Sequence, residues 1–515
     1  MPDASVSLRQ RALARGLLVE TVDAWGQPRT APEASLAALL ERLGPARTYG
    51  RLTPCQRARR TAEGVSLGGG WAPGETLAVA LEPMPGEPGE PWSGRVPVGP
   101  AGGPLLPASL PDGVWAIDAA GESATFVLAP IRGLPLPGGW GLFAPVHAIH
   151  DAQAPVHGDL GALARLADQV HAAGGAFTAT LPLLPRFLAE ARIDGQPVAY
   201  EPSPYAPVSR QFWDELLVAA RFADLPPPEG FVEPDRVWAA AWPGLVAEAA
   251  ANAPATEAWL SADAERRAYA HFRGAGDPAA VRAFGWAQKL ASEQLAALGA
   301  ERPLLLDLPL GTHGMGFDVH RHAERFLHGV SVGAPPDSLF RGGQDWGFPP
   351  MDLEGAAADG FAHLRRCLSH HMAPASILRV DHVAWLHRTY CVPAGAGAGQ
   401  GVYLQHPAWV RESLYGILNV LAARYRCAVV GEDLGTVPDE VREAMEQNGI
   451  ARTWVLQLEL AEPEPPGRLC QGEHVHVELR WQHRGLSLVG IQERLRERSA
   501  EKARIEQEIA RCTGW

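Results

Sequence analysis

Apolar positions recur at two different periods along this chain, and the change from one to the other divides it. Leu36, Leu39, Leu40 and Leu43 lie at helical spacing, and the polar stretch before them has no sustained apolar core. Residues 1–62 therefore read as an N-terminal helical segment. From 63 to 135 the texture becomes short strands broken by Pro and Gly. Gly113–Ala129 reads as a β-hairpin around Gly121, and Pro83–Pro107 as a Pro/Gly-rich loop, so a small β-rich domain is expected here.

Beyond about residue 139 apolar strands alternate with helices. Trp140–Pro145 is an apolar run, followed by a loop holding His147 and His150. Gly158-Asp159-Leu160 opens a helix to about Ala173, and Phe177–Leu184 is the next strand. Leu304–Leu310, Ala375–Asp381, Ala428–Glu432 and Thr453–Leu460 are further short apolar segments. Strands apolar on both faces and separated by helices belong to a parallel sheet. The span is too long for an open six-stranded sheet. The fold class is thus α/β: a (β/α)8 TIM barrel over 136–515, with inserted helices near 210–300 and the small helical and β-rich region in front.

Composition narrows the function. Of 515 residues, 46% are hydrophobic, so the chain has the apolar surface a folded core requires. Only Lys289 and Lys502 are lysine among 45 basic residues, a bias of base composition that weakens isolated Gly and Pro as turn signals. The net charge of −13 comes from interspersed acids and bases, which gives no reason to expect a nucleic-acid partner. No stretch approaches the ~20 apolar residues that span a bilayer, so no membrane partner is expected. Six scattered cysteines form no C-x-x-C pair, which fits a reducing, cytoplasmic setting.

Two strand ends carry candidate chemistry. In Ser376-Ile-Leu-Arg-Val-Asp-His382, Arg379 and Asp381 are two apart and share a face. The arginine keeps the carboxylate ionised, as a nucleophile requires. In Ala428-Val-Val-Gly-Glu-Asp-Leu-Gly435 an apolar strand ends in two acids and a glycine turn, where barrel catalytic groups sit. Either acid alone reads as well as a solvated strand-end residue. Together, in one cleft, they suit glycoside chemistry, one attacking the anomeric carbon and the other moving the proton. Histidines at 313, 320, 322, 370, 371 and 382 show no metal-ligand spacing, so no metal is expected, and no P-loop occurs, Gly68-Gly-Gly70 reading as a loop and not as G-x-G-x-x-G.

These motifs, with Ser203-Pro-Tyr205, Gly333-Ala-Pro-Pro-Asp337 and Gly343-Gln-Asp-Trp-Gly347, occur in the order seen in the 4-α-glucanotransferases (amylomaltase or disproportionating enzyme, glycoside hydrolase family 77). The chain resembles the form with an added N-terminal region, over roughly residues 10–460. The resemblance implies a cofactor-free retaining enzyme on a (β/α)8 barrel, with maltooligosaccharides and α-1,4-glucans as partners. It implies Asp381 as nucleophile and Glu432 as general acid/base. Arg379, His382, Trp346, Tyr205, Ser203 and Asp433 match substrate-cleft positions.

The sequence departs from the family in two places. Asp214-Glu215 stands where Asn-Pro is usual, and no Thr-His-Asp motif, the family's third carboxylate, follows Glu432. The stretch after Glu432 offers fewer than three strand–helix units at about 30 residues each, and 462–515 reads as atypical and polar, ending in a charged helix over Gln492–Arg511. Glu459 and Glu478 are the substitute acids the sequence offers. A glucan-binding relative with impaired catalysis and an α-glucan hydrolase are the competing expectations.

Overall fold

The computed structural model describes residues 7–187, 192–193, 196–197, 203–219, 234–337, 340–455 and 468–470. Seven parallel strands form one curled sheet, in the order Gly141–Phe143, Phe177–Ala179, Leu304–Leu308, Ile377–Val380, Ala428–Gly431, Ala451–Trp454 and Arg468–Cys470. Each strand pairs with the next in the chain within this set, as in the wall of a barrel. The fold is α/β and TIM-barrel-like. Helices Leu160–Ala172, Pro278–Glu301, Ala362–Met372, Ala408–Tyr425 and Asp439–Asn448 lie between them. The first is capped by Asp159, whose carboxylate accepts from the Ala162 amide at 2.8 Å.

Side-chain alternation along these strands sets what points where. Phe177, Ala179, Leu305, Ile377 and Val430 make one apolar cluster inside the curl. Leu304, Leu306, Leu308, Leu378, Val380 and Val429 face the other way, into the helical layer. Asp307, Arg379, Asp381 and Glu432 continue the inward set. They therefore form the layer above the apolar one, at the C-terminal ends of the strands.

Two insertions elaborate this frame. Four helices, Pro234–Ala251, Ala253–Ser261, Ala264–Gly274 and Pro278–Glu301, occupy the region expected to hold inserted helices. A four-stranded antiparallel sheet runs Gln344–Asp345, Val330–Ala334, Arg388–Pro393, Val402–Gln405. Its first two strands precede the Ile377–Val380 strand in the chain and its last two follow it. The N-terminal residues pack on that sheet: Ala12, Leu17, Leu36 and Leu39 share a core with Val330, Cys391 and Val402. The Leu18 amide donates to the Tyr403 carbonyl at 2.9 Å, and the Gln405 amide to the Gly16 carbonyl at 2.8 Å. A Cβ at Gly16 would run into the carbonyl of Gln405, and its φ of +77° also favours glycine.

The N-terminal region differs from the pattern reading in its details. Helices Leu8–Ala14 and Glu33–Leu43 form, but short strands Glu20–Val22 and Pro28–Thr30 lie between them. Cys55–Arg60 is a strand, because its buried Cys55 and Ala58 are held by parallel pairing with Glu122–Leu128, a long-range contact that local periodicity does not report. It belongs to a seven-stranded sheet with Val65–Gly68, Thr76–Pro83, Trp92–Pro97, Gly102–Leu106, Gly113–Ala119 and Glu122–Leu128. The Pro/Gly-rich stretch read as a loop thus supplies two strands. The hairpin turns at Ala120-Gly121, both at positive φ, as a two-residue primed turn requires. The charged helix expected over 492–511, and Glu459 and Glu478, lie outside the described residues.

Candidate active site

The parallel register builds the site. Asp307 pairs with Arg379 across adjacent strands, and Val380 pairs with Gly431, so Asp381 and Glu432 follow side by side at neighbouring strand ends. One Nη of Arg379 donates to Asp307 Oδ1 at 2.7 Å and to Asp381 Oδ1 at 3.0 Å. The Tyr205 hydroxyl donates to the other Asp307 oxygen at 2.9 Å. Ser203 shapes the turn that delivers this tyrosine: its Oγ accepts from the Tyr205 amide at 3.2 Å.

One guanidinium thus serves two carboxylates. Burial works against the charge of Arg379, but Asp307 and Asp381 outweigh it and hold its pKa well above the ordinary range. Burial raises the Asp307 carboxyl against the pull of Arg379, and raises the Tyr205 hydroxyl as well. Asp307 is closed off, its side chain 4% exposed, while that of Asp381 is 22% exposed. The outer carboxylate is therefore the one a substrate can reach.

Glu432 sits in a different field. Its Oε2 accepts from the His382 amide and its Oε1 from the Leu434 amide, both at 2.9 Å. Burial pushes its carboxyl up to about 7, with Asp381 adding to the rise while Arg379 and the two amides oppose it. Near neutral pH the proton on Glu432 is available for transfer, which is what a general acid needs. His382 adopts a left-handed backbone, φ 46° and ψ 54°. Burial lowers its imidazole pKa despite nearby Asp381. Its ring meets Trp346 edge-on at 5.2 Å, and Trp346 also stacks on Phe348 at 6.2 Å. Trp346 is half-buried and comes from the four-stranded sheet, so an aromatic wall from a separate element faces the strand ends.

Asp318, His363 and Cys367 bring three metal-ligand atoms together, all buried. Their hydrogen bonds argue against an ion. Arg366 Nε donates to Gln211 Oε1 at 2.9 Å, which turns the Gln211 amide nitrogen toward His363 Nδ1 at 3.0 Å. That nitrogen must accept, so Nε2 carries the ring hydrogen and faces Asp318 and Cys367 as a donor.

A profile of the glycoside hydrolase family 77, described as 4-alpha-glucanotransferase, matches residues 240–471. The 4-alpha-glucanotransferase of Haemophilus influenzae is 36% identical over 183 residues, 34% of this chain and 26% of that protein. That of Mycobacterium bovis is 27% identical over 567 aligned positions, covering 89% of this chain and 76% of the relative. In sequence this chain is similar to the 4-alpha-glucanotransferases. In fold it is similar to the amylomaltase of Corynebacterium glutamicum, with a TM-score of 0.76 at 21% identity over 98% of this chain and 86% of the other. It is also similar to the amylomaltase of Streptococcus agalactiae solved with acarbose, with a TM-score of 0.54 at 13% identity over 65% and 79%.

The structure brings Asp381, Glu432, Arg379, His382, Tyr205 and Trp346 to one end of the barrel, with Ser203 behind Tyr205. Asp433, expected at the substrate cleft, points the opposite way. As the next residue after inward-facing Glu432 it turns outward, and its side chain is 1% exposed. It accepts from Arg452 Nε at 2.6 Å, Arg442 Nε at 3.2 Å and the Thr453 amide at 3.1 Å. It ties the strand to its neighbour and does not face the cleft. The sequence reading missed Asp307. Its signal was a single acid inside Leu304-Leu-Leu-Asp-Leu308, a charge that a strand buried on both faces admits only with a partner.

Proposed function

We propose that this chain transfers α-1,4-glucan segments between maltooligosaccharides by a retaining double displacement. The observation that carries the reading is the in-register placement of Asp381 and Glu432 on adjacent parallel strands. Such strands lie about 4.8 Å apart, and carboxyl pairs about 5–5.5 Å apart are the ones that retain configuration. Asp381, hydrogen-bonded by Arg379, attacks the anomeric carbon as Glu432 gives its proton to the departing glycosidic oxygen. Glu432, now a carboxylate, takes the proton of an incoming sugar hydroxyl, and that oxygen displaces Asp381 from the same carbon. Trp346 and Tyr205 supply ring faces for the sugar. The acarbose-bound relative supports an oligosaccharide ligand in this fold. A cytoplasmic setting belongs to the proposal, and Cys55, Cys367, Cys391 and Cys427 are unpaired thiols.

Incubation with maltotriose tests it. Glucose together with longer oligomers is expected. Glucose alone would replace transfer with hydrolysis, and an Asp381→Asn variant of full activity would remove the assigned nucleophile.

A further inference from the structure

The structure contains five non-glycine residues at positive φ among those described, and one of them, His382, lies between the proposed nucleophile and a short 3-10 turn, Val383–Leu386. A left-handed residue costs roughly 1–2 kcal/mol more in an L-amino acid than in glycine, so something at this position must require it. Two successive amides show what. The His382 N–H meets the Glu432 carboxylate, and the next N–H, that of Val383, meets the Glu432 carbonyl at 2.9 Å. A chain continuing in extended form after Asp381 would turn successive amides to opposite sides. The left-handed step turns both toward one residue, as in a backbone nest that gathers N–H groups around an anion.

We infer that the Asp381–His382–Val383 turn is a positioning element for Glu432: its backbone, rather than the imidazole, holds the acid/base carboxylate and ties it to the residue beside the nucleophile. The inference deepens the proposed reaction and rests on that reading for its catalytic meaning. The other groups facing Glu432 are Arg379 and Asp381 on the nucleophile strand. Asp307 and Tyr205 act on it through Arg379, and Asp433 on its own strand is turned away to Arg442 and Arg452. The His382 and Leu434 amides favour the carboxylate form and so oppose the rise that burial causes.

The test separates backbone from ring. His382→Gly and His382→Asn remove the imidazole yet accept positive φ, whereas His382→Ala and His382→Val remove it and resist that conformation. Glu432 is titrated in the resting full-length protein by the carbon-13 shift of its carboxyl group, assigned by its loss in Glu432→Gln. The Gly and Asn variants should keep the wild-type midpoint. The Val variant should move it up by about one pH unit, the scale of one hydrogen bond to a charged group, with Ala between. The alkaline limb of kcat should follow the same order. Replacing the amide between Asp381 and His382 by an ester, which deletes the N–H alone, should reproduce the result for His382→Val, and this arm stands even where the valine substitution prevents folding. Equal midpoints across the series and in the ester would overturn the inference. Undiminished transfer by Glu432→Gln would instead overturn the reaction assignment, whatever the midpoints show.

Discussion

Two buried clusters in this molecule use the same parts. Where the inserted helices meet the loop after Tyr205, Glu215 accepts from the Tyr269 hydroxyl at 2.6 Å, from Gln288 at 3.2 Å and from Arg273 at 3.2 Å. At the barrel's strand ends, Asp307 accepts from the Tyr205 hydroxyl at 2.9 Å and from Arg379 at 2.7 Å. Each has a carboxylate, an arginine and a tyrosine. The first is closed: one cation for one anion, with side chains 7% and 2% exposed. The second continues outward, since Arg379 also holds Asp381, which is 22% exposed. A buried acid with its own partner is structure. A second acid on the same arginine, left open to solvent, is where chemistry can begin.

That contrast can be broken by mutation. Asp381→Asn should lower kcat for maltotriose disproportionation by at least about a thousandfold while leaving the melting temperature within a few degrees, measured by oligosaccharide chromatography and calorimetry. Glu432→Gln should cost about 10²–10⁴ in kcat with little change in substrate affinity. Arg273→Met should do the opposite. Leaving Glu215 buried without its cation should cost about 3–5 kcal/mol in denaturant unfolding, yet turnover per folded molecule should persist. Comparable losses of stability in both clusters, or of turnover in both, would erase the distinction.

A pH dependence probes the strand ends more gently. Burial raises Glu432 from an ordinary 4.5 to about 7. Between those two values the folded state holds this proton more firmly than the unfolded chain does. Its contribution to stability is therefore full below 4.5, falls as pH rises through that window and is constant above it. Glu432→Gln should flatten this part of the stability profile. Ser203→Ala should have the smallest effect, under about 1 kcal/mol, seen as a KM a few-fold higher as Tyr205 loses its turn.

The barrel and both carboxylates were legible because strand alternation and strand-end acids are local signals. Arg379 and Asp381 two apart announced a shared face, and the register then showed that face to be the inner one. Asp433 was misread because adjacency in Glu432-Asp433 looks like partnership, although neighbouring strand residues point to opposite sides. Asp307 went unseen because its meaning depends on Arg379, 72 residues later in the chain. Trp346 was expected in the cleft, but nothing local shows that its sheet is assembled from segments on both sides of the nucleophile strand. Cys55–Arg60 failed as a helix for the same reason, its strand partner lying far along the N-terminal sheet's sequence.

That divided sheet constrains how such a protein can be recombined. Its four strands bracket the nucleophile strand in the chain and bind the N-terminal helices and the segment between them through Gly16, Leu17 and Leu18. A chimera joined anywhere between Leu43 and Gln344 would inherit those helices from one parent and most of the sheet they cover from another. The mismatch would fall in the sheet that carries Trp346, beside His382. Even a join at an exposed turn such as Gly121, harmless to the hairpin itself, would carry that cost. Exchanging the first helices together with the barrel avoids it, so the ancestry of the two should be traced as one.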